Sequence, residues 1–192
     1  MSLITVEQFI AICPNARIKA DLFVPWLNKY FEEYKINTPL RIAAFMAQAA
    51  HETVEFRYMK EFGSNKYLDK YDTGTLAKNL GNSPEDDDDG ILYCGRGIFQ
   101  VTGKANYRTC SRALFNDERL LTKPQLLEDP QYAVKSACWY WNSRNLSELS
   151  DKPNFLAVCI RVNGKNKNGL PNGWDDRKKY YDRSLKAMGV IK

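Results

Sequence analysis

Ala43–Gly63, AAFMAQAAHETVEFRYMKEFG, changes character halfway along. Its first half consists of strong helix formers with small side chains, which let neighbouring elements approach the backbone closely. Its second half carries the only histidine of the chain, His51, together with Glu52, Glu55 and Glu61 and the aromatics Phe56, Tyr58 and Phe62. Such a helix is expected at the centre of the fold, with its charged end opening into a cleft. Thr38-Pro39 just upstream offers an N-cap followed by proline at the first helical position, a strong start signal.

Working outward, Thr5-Val6-Glu7-Gln8 has the Thr-x-x-Gln pattern of a capping box and predicts a short helix over Thr5–Ile12. Periodic Phe23, Trp26, Leu27, Tyr30 and Phe31 predict a helix over 17–34, with a kink or a fresh start at Pro25. Beyond Gly63, Ser64–Gly90 shows no core periodicity and ends in the acidic run Glu85–Asp89, so it reads as a mobile lobe or long loop at about 64–92. The run lacks the alternating ligands and final glutamate of a calcium loop and reads as solvated. Alternation of Ile98, Gln100 and Thr102 after Gly95-Arg96-Gly97 predicts a short extended segment with one polar face. Helices are expected from Asn106 towards Phe115, over Gln131–Asn142 and Asn154–Asn163, and again after the turn-rich 163–173, where Asp175 and Asp176 suit a helix N-terminus. The result is a mainly α fold with at most a small β element, read as one catalytic domain over 1–192.

Composition narrows the function. With 192 residues, 44% hydrophobic and 27% charged, the chain can bury a core. No apolar run reaches the length of a membrane span, and no basic region precedes the apolar residues at the N-terminus, so no signal peptide is expected. Five widely spaced cysteines without CxxC argue against a disulfide framework or zinc site, and a single histidine excludes a histidine-rich metal centre. Net charge is +5, and between Arg161 and Lys192 nine Lys/Arg face three Asp. This excess favours an anionic partner, although no nucleic-acid motif accompanies it. Gly-Arg-Gly lacks the spacing of a phosphate-binding loop.

Glu52 and Glu61 are the candidate chemistry. Glycoside hydrolysis takes two carboxyls, one protonated to serve the leaving oxygen and one ionised to activate water. A carboxyl at the end of an apolar helix is placed where desolvation favours the protonated form. By spacing alone, Glu55 and Asp72 are rivals. The aromatics Phe56, Tyr58, Phe62, Tyr67 and Tyr71 lie nearby in sequence and could stack on sugar rings, with Phe56 and Phe62 expected instead to fill the core.

Phe45-Met46-Ala47-Gln48-Ala49-Ala50-His51-Glu52, the block Tyr93–Tyr107 (YCGRGIFQVTGKANY), Val162-Asn163-Gly164 and Asp176-Arg177 together resemble glycoside hydrolase family 19, in particular its phage endolysin branch. The resemblance covers nearly the whole chain. It implies a lysozyme-like, two-lobed helical fold and inverting cleavage of β-1,4 bonds, with Glu52 as general acid, Glu61 as general base and Thr102 helping to hold the attacking water. It further implies substrate contacts by Tyr93, Gln100, Asn106 and Asn163, beside Tyr58 from the aromatic cluster, a supporting role for His51, and an Arg177 that orients Glu61. Peptidoglycan glycan strands would be the substrate, chitin or a non-catalytic wall-binding relative being the alternatives, and the basic C-terminal helix would meet the anionic bacterial envelope. No metal or cofactor, no nucleic acid and no integral membrane segment are expected. A monomer is expected, held in the host cytoplasm before it reaches the periplasmic wall.

Overall fold

The structure, a computed structural model, describes residues 2–83, 85, 87–152 and 154–192. In chain order the helices are α1 (Val6–Ile12), α2 (Ala20–Glu33), α3 (Pro39–Thr53), α4 (Asn65–Leu68), α5 (Gly74–Leu80), α6 (Asp89–Leu92), α7 (Lys104–Phe115), α8 (Pro130–Ser143), α9 (Leu146–Ser150), α10 (Phe155–Asn163) and α11 (Trp174–Ala187). The only β pairing among the described residues is two isolated bridges, Lys60 with Arg96 and Arg96 with Val101. The mainly α reading holds. No helix among the described residues is long and apolar enough to cross a membrane. The chain divides into two compact units: residues up to Arg57 with Tyr140–Lys192, and Tyr58–Trp139.

The first unit is built around α3. Thr38 Oγ1 accepts from the Arg41 N–H and Pro39 opens the first turn, as expected. Every residue from Ile42 to Ala50 is buried, because a helix apolar on all sides can only be a core helix. Phe45 packs between Phe31 and Trp141, with ring centroids 5.0 and 5.2 Å away. The alanines admit α11, which runs along α3. The Thr5–Gln8 capping box forms in both directions, an arrangement worth about 1 kcal/mol to a helix. Pro25 lies inside α2, and the fresh start falls earlier, where a 3-10 turn over Pro14–Lys19 hands over to α2.

After α3 the backbone does something no propensity foresees. Val54, Glu55 and Phe56 all take left-handed φ values of 51°, 57° and 59°, each costing roughly 1–2 kcal/mol for a side chain with a Cβ. Packing and hydrogen bonds offset this. Phe56 is fully buried between Phe9 and Phe23, both at 5.0 Å. Thr53 Oγ1 accepts from the Phe56 N–H at 2.7 Å. The buried Glu55 carboxylate accepts from Asn15 N (2.7 Å), Tyr180 Oη (3.1 Å) and Arg183 Nη1 (3.3 Å). Glu55 is thus a structural staple rather than a rival catalytic group.

In the second unit the core comprises Tyr93, Val101, Tyr107, Cys110, Leu114, Leu120 and Leu127. Gly95-Arg96-Gly97 organises it. Arg96 is buried and donates to Glu128 (2.7 Å), Leu92 O (2.7 Å) and Tyr107 Oη (2.9 Å). The extended segment expected over Ile98–Thr102 is a turn. Arg96 and Val101 exchange backbone hydrogen bonds (3.1 and 2.8 Å), while Gly97 (φ 78°) and Gln100 (φ 48°) reverse the chain between them. The segment read as a loop at 64–92 contains the short helices α4, α5 and α6. Asp72 is buried there, accepting from the N–H groups of Asp88 (3.1 Å) and Gly90 (3.0 Å), which removes it from the catalytic candidates. Within the acidic run, Asp89 is not solvated: it is buried and paired with Lys104 at 2.9 Å. Asp86 lies outside the described residues.

Candidate active site

The two candidate carboxylates sit in different units and in different settings. Glu52 belongs to the first. Gln48, His51 and Glu52 share one face of α3 at the i, i+3, i+4 spacing. The start of α11 meets that face. Arg177, only 1% exposed, donates to Glu52 Oε1 through Nη2 at 2.5 Å, to Gln48 Oε1 through Nη1, and to Asn172 O through Nε at 2.9 Å. Gln48 in turn donates to Cys159 Sγ at 3.0 Å. His51 Nδ1 pairs with Asp176 Oδ2 at 2.6 Å. Gly173 (φ 70°) must be glycine, because a Cβ there would lie 2.2 Å from the His51 ring. The arginine expected to orient Glu61 therefore serves Glu52. Asp176-Arg177 entered as a match to the family resemblance, which implied Glu61 as the partner of the arginine.

Glu61 belongs to the second unit and is held by backbone as much as by side chains. Its N–H donates to Gly95 O at 2.8 Å, and the Gly95 N–H returns a bond to Oε2 at 3.1 Å. Tyr71 donates to Oε1 at 3.0 Å, and Lys70 Nζ stands 3.6 Å from the same oxygen. Burial raises the Tyr71 phenol, helped by its bond to Glu61. Burial opposes the charge on Lys70, but its contacts with Tyr67, Tyr71 and Glu61 outweigh it and hold the ammonium above its usual range.

Gly95 explains how the polar groups converge. A Cβ at that position would meet Gln100 Oε1 at 2.5 Å and both Glu61 Oε2 and Thr102 Oγ1 at 3.2 Å. The bare glycine thus forms a floor over which Glu61, Gln100 and Thr102 gather. The Thr102 hydroxyl donates to Gln100 O at 3.0 Å, which leaves its lone pairs to accept.

The remaining expected contacts divide. Asn106 is exposed on α7, its amide donating to Thr102 O at 2.8 Å. Asn163 is exposed at the end of α10, with Oδ1 accepting from Asn172 N at 2.9 Å. Tyr58 packs edge-on against Phe62, with ring centroids 4.5 Å apart. Tyr93 is corrected: only 4% exposed, its ring packs on Tyr107 and its hydroxyl donates to Leu121 O, so it is a core residue. Phe62 is corrected in the other direction. Expected in the core, it is 72% exposed next to Glu61 in the chain, its ring edge-on to that of Tyr58. Lys70 and Tyr71 were missed as partners of Glu61, and the only signal was Tyr71 among the nearby aromatics.

Comparison with known proteins agrees with this architecture. Residues 34–171 match the glycoside hydrolase 19 family, described as class I chitinase. A glycosyl hydrolase family 19 domain-containing protein of Haemophilus influenzae is 33% identical over 162 residues, covering 72% of this chain and 76% of its own. An endochitinase of Arabidopsis thaliana is 31% identical over 163 residues, covering 83% of this chain and 52% of its own. The chain thus spans about half the length of that plant relative. Among solved structures, chitinase C from Streptomyces griseus HUT6037 superposes with a TM-score of 0.76 at 25% identity, covering 98% of this chain and 77% of that one. With more than half of its length inside the family match, the chain belongs to glycoside hydrolase family 19.

Proposed function

We propose that the chain hydrolyses β-1,4 glycosidic bonds of bacterial peptidoglycan with inversion, Glu52 acting as general acid and Glu61 as general base. The observation that carries this is the gathering of Glu61, Thr102 and Gln100 over Gly95. It is a site for a water that donates one hydrogen to Glu61 and the other to Thr102 Oγ1. That water attacks the anomeric carbon as the bond to the leaving oxygen breaks. The bonding electrons pass to the leaving oxygen, which takes the Glu52 proton, while Glu61 accepts the proton of the water. Glu52 Oε1 accepts from Arg177, so Oε2 is the oxygen assigned to face the leaving group. Gln100, Asn106, Asn163 and Tyr58 are assigned to glycan contacts, and exposed Phe62 joins Tyr58 as an aromatic surface for a sugar ring.

The net charge of +5 supports an anionic wall as substrate. The charge is narrower than its count implies. Arg177 and Arg183 point inward onto Glu52 and Glu55, leaving the other seven of the nine, among them Lys165, Lys167, Lys178, Lys179 and Lys186, exposed near the C-terminus. In this reading the protein acts as an endolysin, made in a host cytoplasm and passed to the periplasmic wall through a separate membrane pore. The second reading is chitin hydrolysis, favoured by relatives named as endochitinases. Digesting purified peptidoglycan and chitin oligomers side by side decides between them. Mass spectrometry of wall fragments with a new reducing end supports the first reading, and release of sugar from chitin alone supports the second.

A further inference from the structure

The two oxygens of Glu61 are not equivalent. Oε1 is committed to Tyr71 Oη at 3.0 Å and to Lys70 Nζ at 3.6 Å. The Lys70 ammonium is itself fixed, 3.4 Å from the Tyr67 ring centroid and 4.4 Å from that of Tyr71. Rings at these distances attract a cation and restrict a flexible lysine. Oε2 lies on the other side of the carboxylate, over Gly95 with Thr102 and Gln100. The other groups near Glu61 do not compete. Cys94 is a buried thiol that burial pushes up, and Arg96 is turned away into Glu128. Lys60 neighbours Glu61 in sequence, and Gly95, Gln100 and Thr102 carry no charge.

We propose that Lys70 and Tyr71 are positioning residues for the base: they hold the Glu61 carboxylate by Oε1, so that Oε2 is the oxygen that takes the proton of water. This rests on the reading of Glu61 as general base. The lysine supplies the charge that the family resemblance implied for Arg177, and it does so from within the base's own unit. Tyr71 fixes the rotamer, and the Tyr67 ring keeps the ammonium in place.

The test measures kcat and KM against pH for wild type, Lys70→Met, Lys70→Arg and Tyr71→Phe on whichever glycan the wild type cleaves, with melting points as folding controls. Removing a cation near a carboxylate favours its protonated form, so the acidic limb of kcat moves to higher pH. For Lys70→Met we expect that upward move together with a roughly tenfold fall in kcat and an unchanged KM. Lys70→Arg restores the limb, and Tyr71→Phe lowers kcat several-fold. A wild-type limb and kcat in Lys70→Met, or an arginine variant no better than the methionine variant, overturns the proposal. If Lys70→Met does not fold, a wild-type profile in Tyr71→Phe overturns it. Glu61→Ala with added azide separates the underlying reading. Azide attacks the anomeric carbon without needing a base, so restored cleavage with a glycosyl azide product supports Glu61 as base. Full activity of Glu61→Ala without azide sinks that reading itself.

Discussion

The carboxylate centres of the two units use opposite solutions to the same problem. Glu52 is held from below by helices: α3 supplies Gln48, His51 and Glu52 on one face, and α11 supplies a buried guanidinium that binds two of them at once. Glu61 is held on irregular backbone, by a reciprocal exchange with Gly95 and by a partly exposed lysine and a tyrosine. The two carboxylates are similarly exposed, 22% for Glu52 and 18% for Glu61, but the cation of the first centre, Arg177, is 1% exposed and that of the second, Lys70, is 34% exposed. Removing the second cation should therefore cost less stability than removing the first.

The largest expected effects test the first centre. Glu52→Gln keeps the shape and the Arg177 contact but removes the proton donor, and kcat should fall about 1000-fold, within the range for general acid catalysis. A Glu61→Gln loss of similar size, with the double variant little worse than either single one, would show that the two act in one step. Arg177→Met strands Gln48 and Glu52 in a largely buried site and should cost about 3–5 kcal/mol of stability, read by denaturant unfolding. The corresponding Lys70→Met should leave the unfolding midpoint nearly unchanged. Equal stability losses at the two positions would erase the contrast between the centres.

Gly95→Ala sharpens the comparison further. Its Cβ would push against Gln100 Oε1, the end of a movable side chain, so stability should change little. Yet kcat should fall about 10–100-fold, because the base and its water lose their alignment. The smallest effect is expected for Phe62→Ala, which removes an exposed ring and should raise KM a few-fold without altering kcat, as seen in initial rates.

What the sequence made legible follows the same division. Helix α3, its Thr38-Pro39 start and the Thr5–Gln8 capping box could be read directly, because each depends on local chemistry. Glu52 was legible because it ends a helix whose pattern is unmistakable. The setting of Glu61 was not. The chain leaves α3 through Val54, Glu55 and Phe56 in left-handed conformations that only tertiary contacts stabilise, and the polar segment at 98–102 turned out to be a tight turn around Gly97. Tyr93 was read as a substrate contact and Phe62 as core. Tyr93 was carried over from the family resemblance, which does not say how this chain packs the ring, and Phe62 was misread because an aromatic side chain carries the same local signal whether packing turns it inward or outward. Arg177 was found through the family resemblance, which implied Glu61 as its partner, whereas the folded chain gives it to Glu52.

The central claim, two carboxyls in separate roles rather than one nucleophile and one acid, is tested most directly by the stereochemistry of the first product. Proton NMR of the anomeric signals during early turnover of a β-1,4-linked N-acetylglucosamine oligomer or glycan strand should show the α-anomer forming first and then equilibrating. A β-anomer appearing first would mean retention through a covalent intermediate, and would contradict the account.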